Sequence, residues 1–342
     1  MYNERYAARY IEHTLGSSYT QHKNRVIAEL ARFLDAAQVL DLGSNVNGTV
    51  KRNGSLRYKL SRRGIDYVGL DLSQSYFDKS VPKLLGLSDS EIFEENKGIV
   101  ADIANIPLKD NSVDFSVCAD VIEHVSDPAR ALSEISRVTS ENGKAIIVVP
   151  SLYKLDGLDL NHIKEKRHSS HESKLTVSQW LELSRQAGLV LDQQNSQPIG
   201  IASGLLYLTW LDEEFVPEKC HQEAEERFSG KAEIFKKAKK AIGKHDEYLD
   251  NFFTSSPEVL SAIGNAASEG VLTPAIDTLK YLATNFLPAE DQEMVTVALA
   301  NFNSEKVPLS RLTNIADTIA SLTLAERSLF LGNSALLVFG KN

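Results

Sequence analysis

The stretch QVLDLGSNVNG, residues 38–48, decides the fold of this chain. Its first five residues are mostly apolar and favour a buried β-strand, whereas the small and polar residues from Gly43 onward predict a turn. A glycine at such a turn lets a ligand approach the backbone closely. Apolar residues recur at helical spacing over residues 25–34, so an amphipathic helix is predicted to lead into this strand.

Three further apolar runs each end at an aspartate. The runs are residues 67–70, 98–101 and 113–119, and the acids are Asp71, Asp102 and Asp120. Runs that are apolar on both faces need cover on both sides, and they alternate with predicted helices at 128–138 and 177–186. We therefore predict a doubly wound, Rossmann-like α/β sheet. Ligands bind beyond the carboxyl ends of such strands, where Gly43 and the three acids fall.

The pattern changes after the sixth predicted strand, residues 189–192. From there to residue 331 the apolar periodicity is helical, and residues 334–341, SALLVFGK, then predict a last strand at the edge of the sheet. The predicted domains are an N-terminal helical segment, 1–36, a core, 37–198 plus 332–342, and a helical insertion, 199–331, between the sixth and seventh strands. We expect the insertion to act as a lid, to bind an acceptor or to form a homodimer.

Composition restricts the class of protein. The net charge is −9, from 46 acidic and 37 basic residues, which disfavours a nucleic-acid partner because phosphates would be repelled. Two cysteines are too few for a disulfide framework or a four-thiolate zinc site. No apolar run approaches the ~20 residues that cross a bilayer. We expect a cytoplasmic protein without a membrane partner.

The motifs resemble, in their order and spacing, those of class I S-adenosylmethionine-dependent methyltransferases. The similar segments are VLDLGS at 39–44, VGLDLS at 68–73, ADI at 101–103 and the run from 112 to 149. The last run, with VIEHV at 121–125, is similar to the small-molecule branch of the family, the methyltransferase type 11-like proteins. The resemblance implies S-adenosylmethionine as the cofactor.

The resemblance also implies which residues bind the cofactor. Gly43 and its loop would bind the methionine part, Asp71 the ribose, Asp102 with Ile103 the adenine, and Asp120 would line the methyl-transfer side. The full predicted set is Asp41, Gly43, Ser44, Asn45, Asp71, Leu72, Asp102, Ile103, Ala119 and Asp120. As an alternative, Asp41 and Asp102 cap local turns. The loop departs from the family pattern, since asparagines replace alternate glycines and residues 51–57 are extra sequence.

Methyl transfer is an in-line displacement, so the protein chiefly positions the acceptor and, for a hydroxyl, removes its proton. The candidate catalytic residues are His171, His168, His162 and Asp120. His171 precedes Leu175 and Thr176, much as a family histidine precedes a Phe-Thr turn on the acceptor side. The alternative is that these histidines are exposed loop residues without a catalytic role.

The predicted function is methylation of a small-molecule acceptor in specialised or sugar metabolism, with O-methylation first because of the histidines. Two alternatives stay open: a methyltransferase for protein or RNA, and a module that binds the cofactor without methylating. A metal held by Asp120, Glu123 and His124 with a loop histidine is a further alternative, but no metal is predicted.

Overall fold

The computed structural model describes residues 17–77, 87–94, 98–151, 171–206, 231–254, 272–303 and 332–341. They divide into two compact units. The first contains the described parts of Met1–Val149, Gln179–Ser196 and Leu336–Asn342, and the second contains those of Pro150–Ser178 and Gln197–Ala335. The helix predicted ahead of the core belongs to the first unit, together with the strands that would form the ligand site.

The core of the fold is an eight-stranded sheet in the order β3-β2-β1-β4-β5-β8-β6, with β7 paired to β8. The strands are β1 Gln38–Leu42, β2 Asp66–Asp71, β3 Gly98–Val100, β4 Val113–Ala119, β5 Thr139–Pro150, β6 Leu189–Leu191, β7 Gln197–Ile199 and β8 Ser334–Lys341. The pairs that join β1 to β5 into one sheet are all parallel. Residues 115–118 and 145–149 are buried without alternation, as expected for strands covered on both faces. The predicted α/β class is confirmed, with a mixed sheet that is parallel from β1 to β5 and has an antiparallel pair at β6 and β8.

The position of β8 corrects one prediction. We expected a strand at the edge of the sheet, but β8 lies between β5 and β6 and pairs antiparallel with β6. Its residues 334–339 are all buried. An apolar run without alternation is typical of an interior strand, which explains why the edge assignment was wrong.

Four α-helices are described before β6, and the first three of them begin at a side chain that accepts a backbone N–H. They are α1 Ser18–Phe33, α2 Leu56–Ser61, α3 Pro128–Val138 and α4 Val177–Gln186. The side chain of Ser17 accepts a hydrogen bond from the Thr20 N–H at the start of α1, which places this start earlier than the sequence pattern did. Asp127 caps α3 in the same way, with proline in its first turn.

The second unit is helical between β7 and β8 wherever it is described. Residues 201–206 are helical and are followed by α5 Lys231–Gly243, α6 Asp246–Thr254, α7 Leu272–Phe286 and α8 Ala289–Asn303. Both α5 and α7 pack against α8. The rings of Phe252 and Phe286 are in tilted contact, with their centroids 4.7 Å apart. In the described part of the chain, no helix has both the length and the apolar character to span a bilayer.

Candidate functional site

The turn after β1 has the geometry that only glycine accepts. Gly43 has φ +75°, and a Cβ atom there would lie 2.5 Å from Cγ2 of Val121. The N–H groups of Gly43 and Ser44 both donate to the carbonyl oxygen of Leu70, over 2.7 and 3.0 Å. This turn therefore links the carboxyl ends of β1 and β2 and lies against the segment that follows β4.

Asn45 takes the place of a second glycine. Its φ is +37°, in the left-handed region that asparagine tolerates better than most residues. Its N–H donates to Oδ2 of Asp71 over 2.9 Å, and its side-chain oxygen accepts from the N–H of Asn47 over 3.2 Å. The departure from the glycine pattern thus leaves the turn intact and connects it to the acid at the end of β2.

Asp71 presents a carboxylate with room for a ligand. Its Oδ2 accepts the Asn45 N–H, and its Oδ1 accepts the Ser73 N–H over 3.1 Å. A carboxylate has about four acceptor positions, so each oxygen retains capacity for another donor. Burial raises the pKa of Asp71, and the backbone N–H donors act in the opposite direction. A half-buried carboxylate that accepts from two N–H groups fits the two hydroxyls of a ribose.

The neighbouring strand brings the predicted adenine residues to the same edge. Asp71 is paired with Val100 on β3, and Asp102 follows two residues later. Asp102 is exposed, and its Oδ1 accepts the Ala104 N–H over 2.9 Å, which is the turn role that we kept as an alternative. Ile103 is buried, whereas the Leu72 side chain is 73% exposed. This edge therefore offers an apolar surface beside a carboxylate whose other oxygen is available.

Two predicted cofactor residues instead lie in the interior. The Asp41 side chain is 4% exposed and accepts a hydrogen bond from the Tyr67 hydroxyl over 2.6 Å. Burial raises the pKa of Asp41 to about 7. Ser44 is fully buried, and its Oγ would lie 2.6 Å from a Cβ atom at Gly69. Asp41 and Ser44 are therefore placed to support the turn from inside, and their contact with a ligand stays a prediction.

Asp120 follows β4 and has partners that the sequence analysis missed. Its φ is +56°, and its Oδ2 lies 2.5 Å from Nζ of Lys23. The Tyr19 hydroxyl donates to its Oδ1 over 3.1 Å. Both partners lie on α1. In the sequence, they are recognisable as polar residues on the face of α1 that is otherwise apolar. The ammonium group of Lys23 also disfavours a metal cation at this carboxylate.

Glu123, three residues after Asp120, is a buried acid like Asp41. Glu123 is 2% exposed, and its Oε2 has no hydrogen-bond partner among the residues that the structure describes. Burial, followed by the nearby charge of Asp120, raises the pKa of Glu123 to about 8. Glu123 is therefore largely protonated near neutral pH.

Of the three predicted histidines, the structure describes His171. His171 is half-buried and belongs to the second unit. His162 and His168 lie outside the described residues. Their role as bases therefore stays a prediction.

The extra segment, residues 51–57, braces the turn. The side-chain amide of Asn24 on α1 donates to the Gly54 carbonyl over 2.7 Å and to Oδ1 of Asn47 over 3.3 Å. Arg57 donates to the Gly48 carbonyl over 2.6 Å, and its guanidinium lies 4.0 Å from the Phe93 ring centroid. The cationic side chain of Arg57 is thus engaged within the protein and supports the loop.

Comparison with known proteins gives a family for part of this chain. Residues 51–147 match a family model described as a methyltransferase domain. An uncharacterized methyltransferase of Mycobacterium bovis is 34% identical over 113 residues, which cover 33% of this chain and 40% of that protein. A ubiquinone/menaquinone biosynthesis C-methyltransferase of Rickettsia prowazekii is 28% identical over 115 residues, covering 32% of this chain and 45% of that protein. The chain thus spans less than half the length of either relative.

Among solved structures, a candidate sarcosine dimethylglycine methyltransferase from Galdieria sulphuraria has a TM-score of 0.43 and 16% identity, covering 92% of this chain and 83% of that one. The family match extends from the brace after the turn to within β5, and it contains Asp71, Asp102 and Asp120. The resemblance that the motifs predicted is confirmed for this stretch. Residues 51–147 of this chain are therefore similar to the methyltransferase domain of the class I S-adenosylmethionine-dependent enzymes.

Proposed function

We propose that this protein binds S-adenosylmethionine at the carboxyl edge of β1–β4 and transfers its methyl group to a small-molecule acceptor. One observation carries the cofactor assignment: the Asn45 N–H donates to the Asp71 carboxylate, which connects the glycine turn to the acid at the end of β2. This contact orders both elements before a ligand arrives. Preorganised groups bind with less loss of conformational entropy.

Each part of the edge has a proposed role. The cofactor supplies a methyl group activated by a sulfonium, and S-adenosylhomocysteine is the coproduct. Asp71 accepts hydrogen bonds from the ribose hydroxyls, Asp102 and Ile103 contact the adenine, and the backbone at Gly43 and Asn45 accommodates the methionine part. The exposed Leu72 side chain gives the nucleoside an apolar surface.

The acceptor side is proposed on less direct grounds. We propose O-methylation, with His171 as the first candidate for the base and with His162 and His168 as the others. The helices between β7 and β8 are proposed to be an insertion that covers or selects the acceptor. The rickettsial relative is named for quinone biosynthesis, which favours a small molecule as the class of acceptor.

Binding of S-adenosylhomocysteine, measured by calorimetry, tests the cofactor site. The Asp71→Ala variant should bind at least about tenfold more weakly, because two hydrogen bonds to a charged acceptor are lost. Asp66→Asn is the matched control, since Asp66 is an exposed acid at the opposite end of the same strand. It should bind as the wild type does.

The result separates the alternatives. Wild-type protein that binds neither the cofactor nor its product removes the proposed function. Wild-type binding that is unchanged in Asp71→Ala removes Asp71 from the site, whatever the function.

A further inference from the structure

The buried stripe of α1, which is the row of side chains that faces the sheet, is polar at its N-terminal end and apolar at its C-terminal end. Tyr19, Lys23, Ile27 and Ala31 follow one another at intervals of four residues and therefore share one face of the helix. Ile27 and Ala31 are fully buried and form the apolar part of the stripe. Lys23 is also buried, at 5% exposure, and Tyr19 is half-buried. The polar part coincides with the carboxyl edge of the sheet, because both of its side chains contact Asp120.

A buried lysine is costly unless it is paired. The Lys23 ammonium lies 2.5 Å from Oδ2 of Asp120 and 5.4 Å from the Tyr19 ring centroid. Its charge also lowers the pKa of both Asp41 and Glu123, against the effect of their burial. A methionine at position 23 would continue the apolar stripe without this cost, so stability alone does not account for the lysine.

The pairing changes the electrostatics of the edge. Asp41 and Glu123 are buried, whereas the side chain of Asp120 is 32% exposed. Asp120 follows β4, where the methyl group is proposed to lie. S-adenosylmethionine carries one more positive charge than S-adenosylhomocysteine, and methyl transfer removes that charge from the sulfur. A carboxylate without a counter-ion would stabilise the charged ground state more than the transition state and would slow the reaction.

We propose that Lys23 is a positioning residue of the methyl-transfer site. With Tyr19 it holds Asp120 in its left-handed conformation, and it cancels the charge of Asp120 beside the sulfonium. This inference rests on the proposed function, and it makes α1 a part of the site and not only a cover for the sheet.

The test is the ratio of two dissociation constants, that of S-adenosylmethionine over that of S-adenosylhomocysteine, measured by calorimetry at low salt. Lys23→Met leaves Asp120 unbalanced, so the ratio should fall by about threefold or more. Asp120→Asn leaves Lys23 unbalanced, so the ratio should rise by a similar factor. The double variant should return to the wild-type ratio, and Lys23→Arg should stay near it.

Glu29→Gln is the matched control. Glu29 is exposed on the same helix and forms ion pairs with Arg32 on that helix and with Arg63 beyond α2, and its substitution should leave the ratio unchanged. A merely structural lysine would weaken both ligands together and would not move the ratio. If Lys23→Met does not fold, Asp120→Asn alone still gives a signed prediction.

Two failures are distinguishable. Wild-type protein that binds neither ligand overturns the proposed function. Wild-type protein that binds both, with the same ratio in Lys23→Met and Asp120→Asn, overturns only the role of Lys23.

Discussion

The Tyr67 hydroxyl on β2 donates a 2.6 Å hydrogen bond to Oδ2 of Asp41 on the adjacent strand β1, and both side chains are buried. Burial raises the pKa of Asp41 to about 7 and, together with the charge of Asp41, also raises the pKa of Tyr67. The Asp41 carboxyl group, buried beneath the glycine turn, can therefore change its protonation state near neutral pH.

Asp41 should make stability depend on pH. Its folded pKa of about 7 lies above the ordinary value of 3.8, so the folded protein holds a proton that the unfolded chain releases. The stability that Asp41 contributes is complete below pH ~4 and is lost as the pH rises through about 7. Asp41→Asn cannot titrate, so between pH 5 and pH 8.5 it should lose about 3 kcal/mol less free energy of unfolding than the wild type. Urea denaturation at several fixed pH values measures this difference.

Asp66→Asn serves as the control for that series, because Asp66 is exposed at the start of β2. Its stability should follow the pH dependence of the wild type. Parallel curves for wild type and Asp41→Asn would show that Asp41 does not retain its proton on folding.

Gly43 should tolerate alanine less well than a glycine of the same conformation. Gly43 has φ +75° and a tight contact with Val121, whereas Gly64 has φ +72° and nothing within 4 Å of its Cβ position. Gly64→Ala should cost about 1 kcal/mol from the backbone alone, and Gly43→Ala should cost at least about twice as much. Thermal unfolding compares the two variants.

The contact itself is tested by adding Val121→Ala to Gly43→Ala. The double variant should recover part of the loss, since the methyl groups that crowd the new Cβ atom are removed. Equal losses for Gly43→Ala and Gly64→Ala would mean that the approach to Val121 is not tight.

In the second unit, Asp250 should be important for stability. Its carboxylate accepts the N–H groups of Gly200 and Ile201 over 2.7 and 2.8 Å, where the helical residues 201–206 begin. Asp250→Ala leaves two buried donors without this acceptor and should cost about 3 kcal/mol, measured by urea denaturation. Asp277→Ala is the control, because Asp277 on α7 is exposed and its ion pair with Lys280 is long, at 3.9 Å. It should change stability by less than about 0.5 kcal/mol, and an equal effect of both variants would contradict the role of Asp250.

The sequence predicted the elements whose signals are local. The Asp-Pro pair at 127–128 gives the start of α3, and the apolar run of β4 gives both of its ends. Asp71 is the last residue of β2, so it lies at the carboxyl edge of the sheet. These features depend on neighbours within a few residues, which periodicity and capping rules describe well.

What could not be predicted depends on distant pairs or on the direction of a side chain. Lys23 and Asp120 are far apart in sequence, and no local pattern joins them. Asp41 lies within β1, where successive side chains point to opposite faces of the sheet, so its carboxylate faces the interior and not the edge. The interior place of β8 follows from the order of strands, which the pattern of one strand does not contain.

The place of β8 also bears on how the chain is made. The β6 strand is synthesised long before the strand that joins it to β5, and the helices of the second unit are synthesised in between. Until residues 334–341 leave the ribosome, the β5 side of the growing sheet has no partner from β8. Unpaired edges invite association with other chains. The nascent protein should therefore depend on chaperones most during this interval, and a ribosome stalled before residue 334 should carry an assembly-prone intermediate.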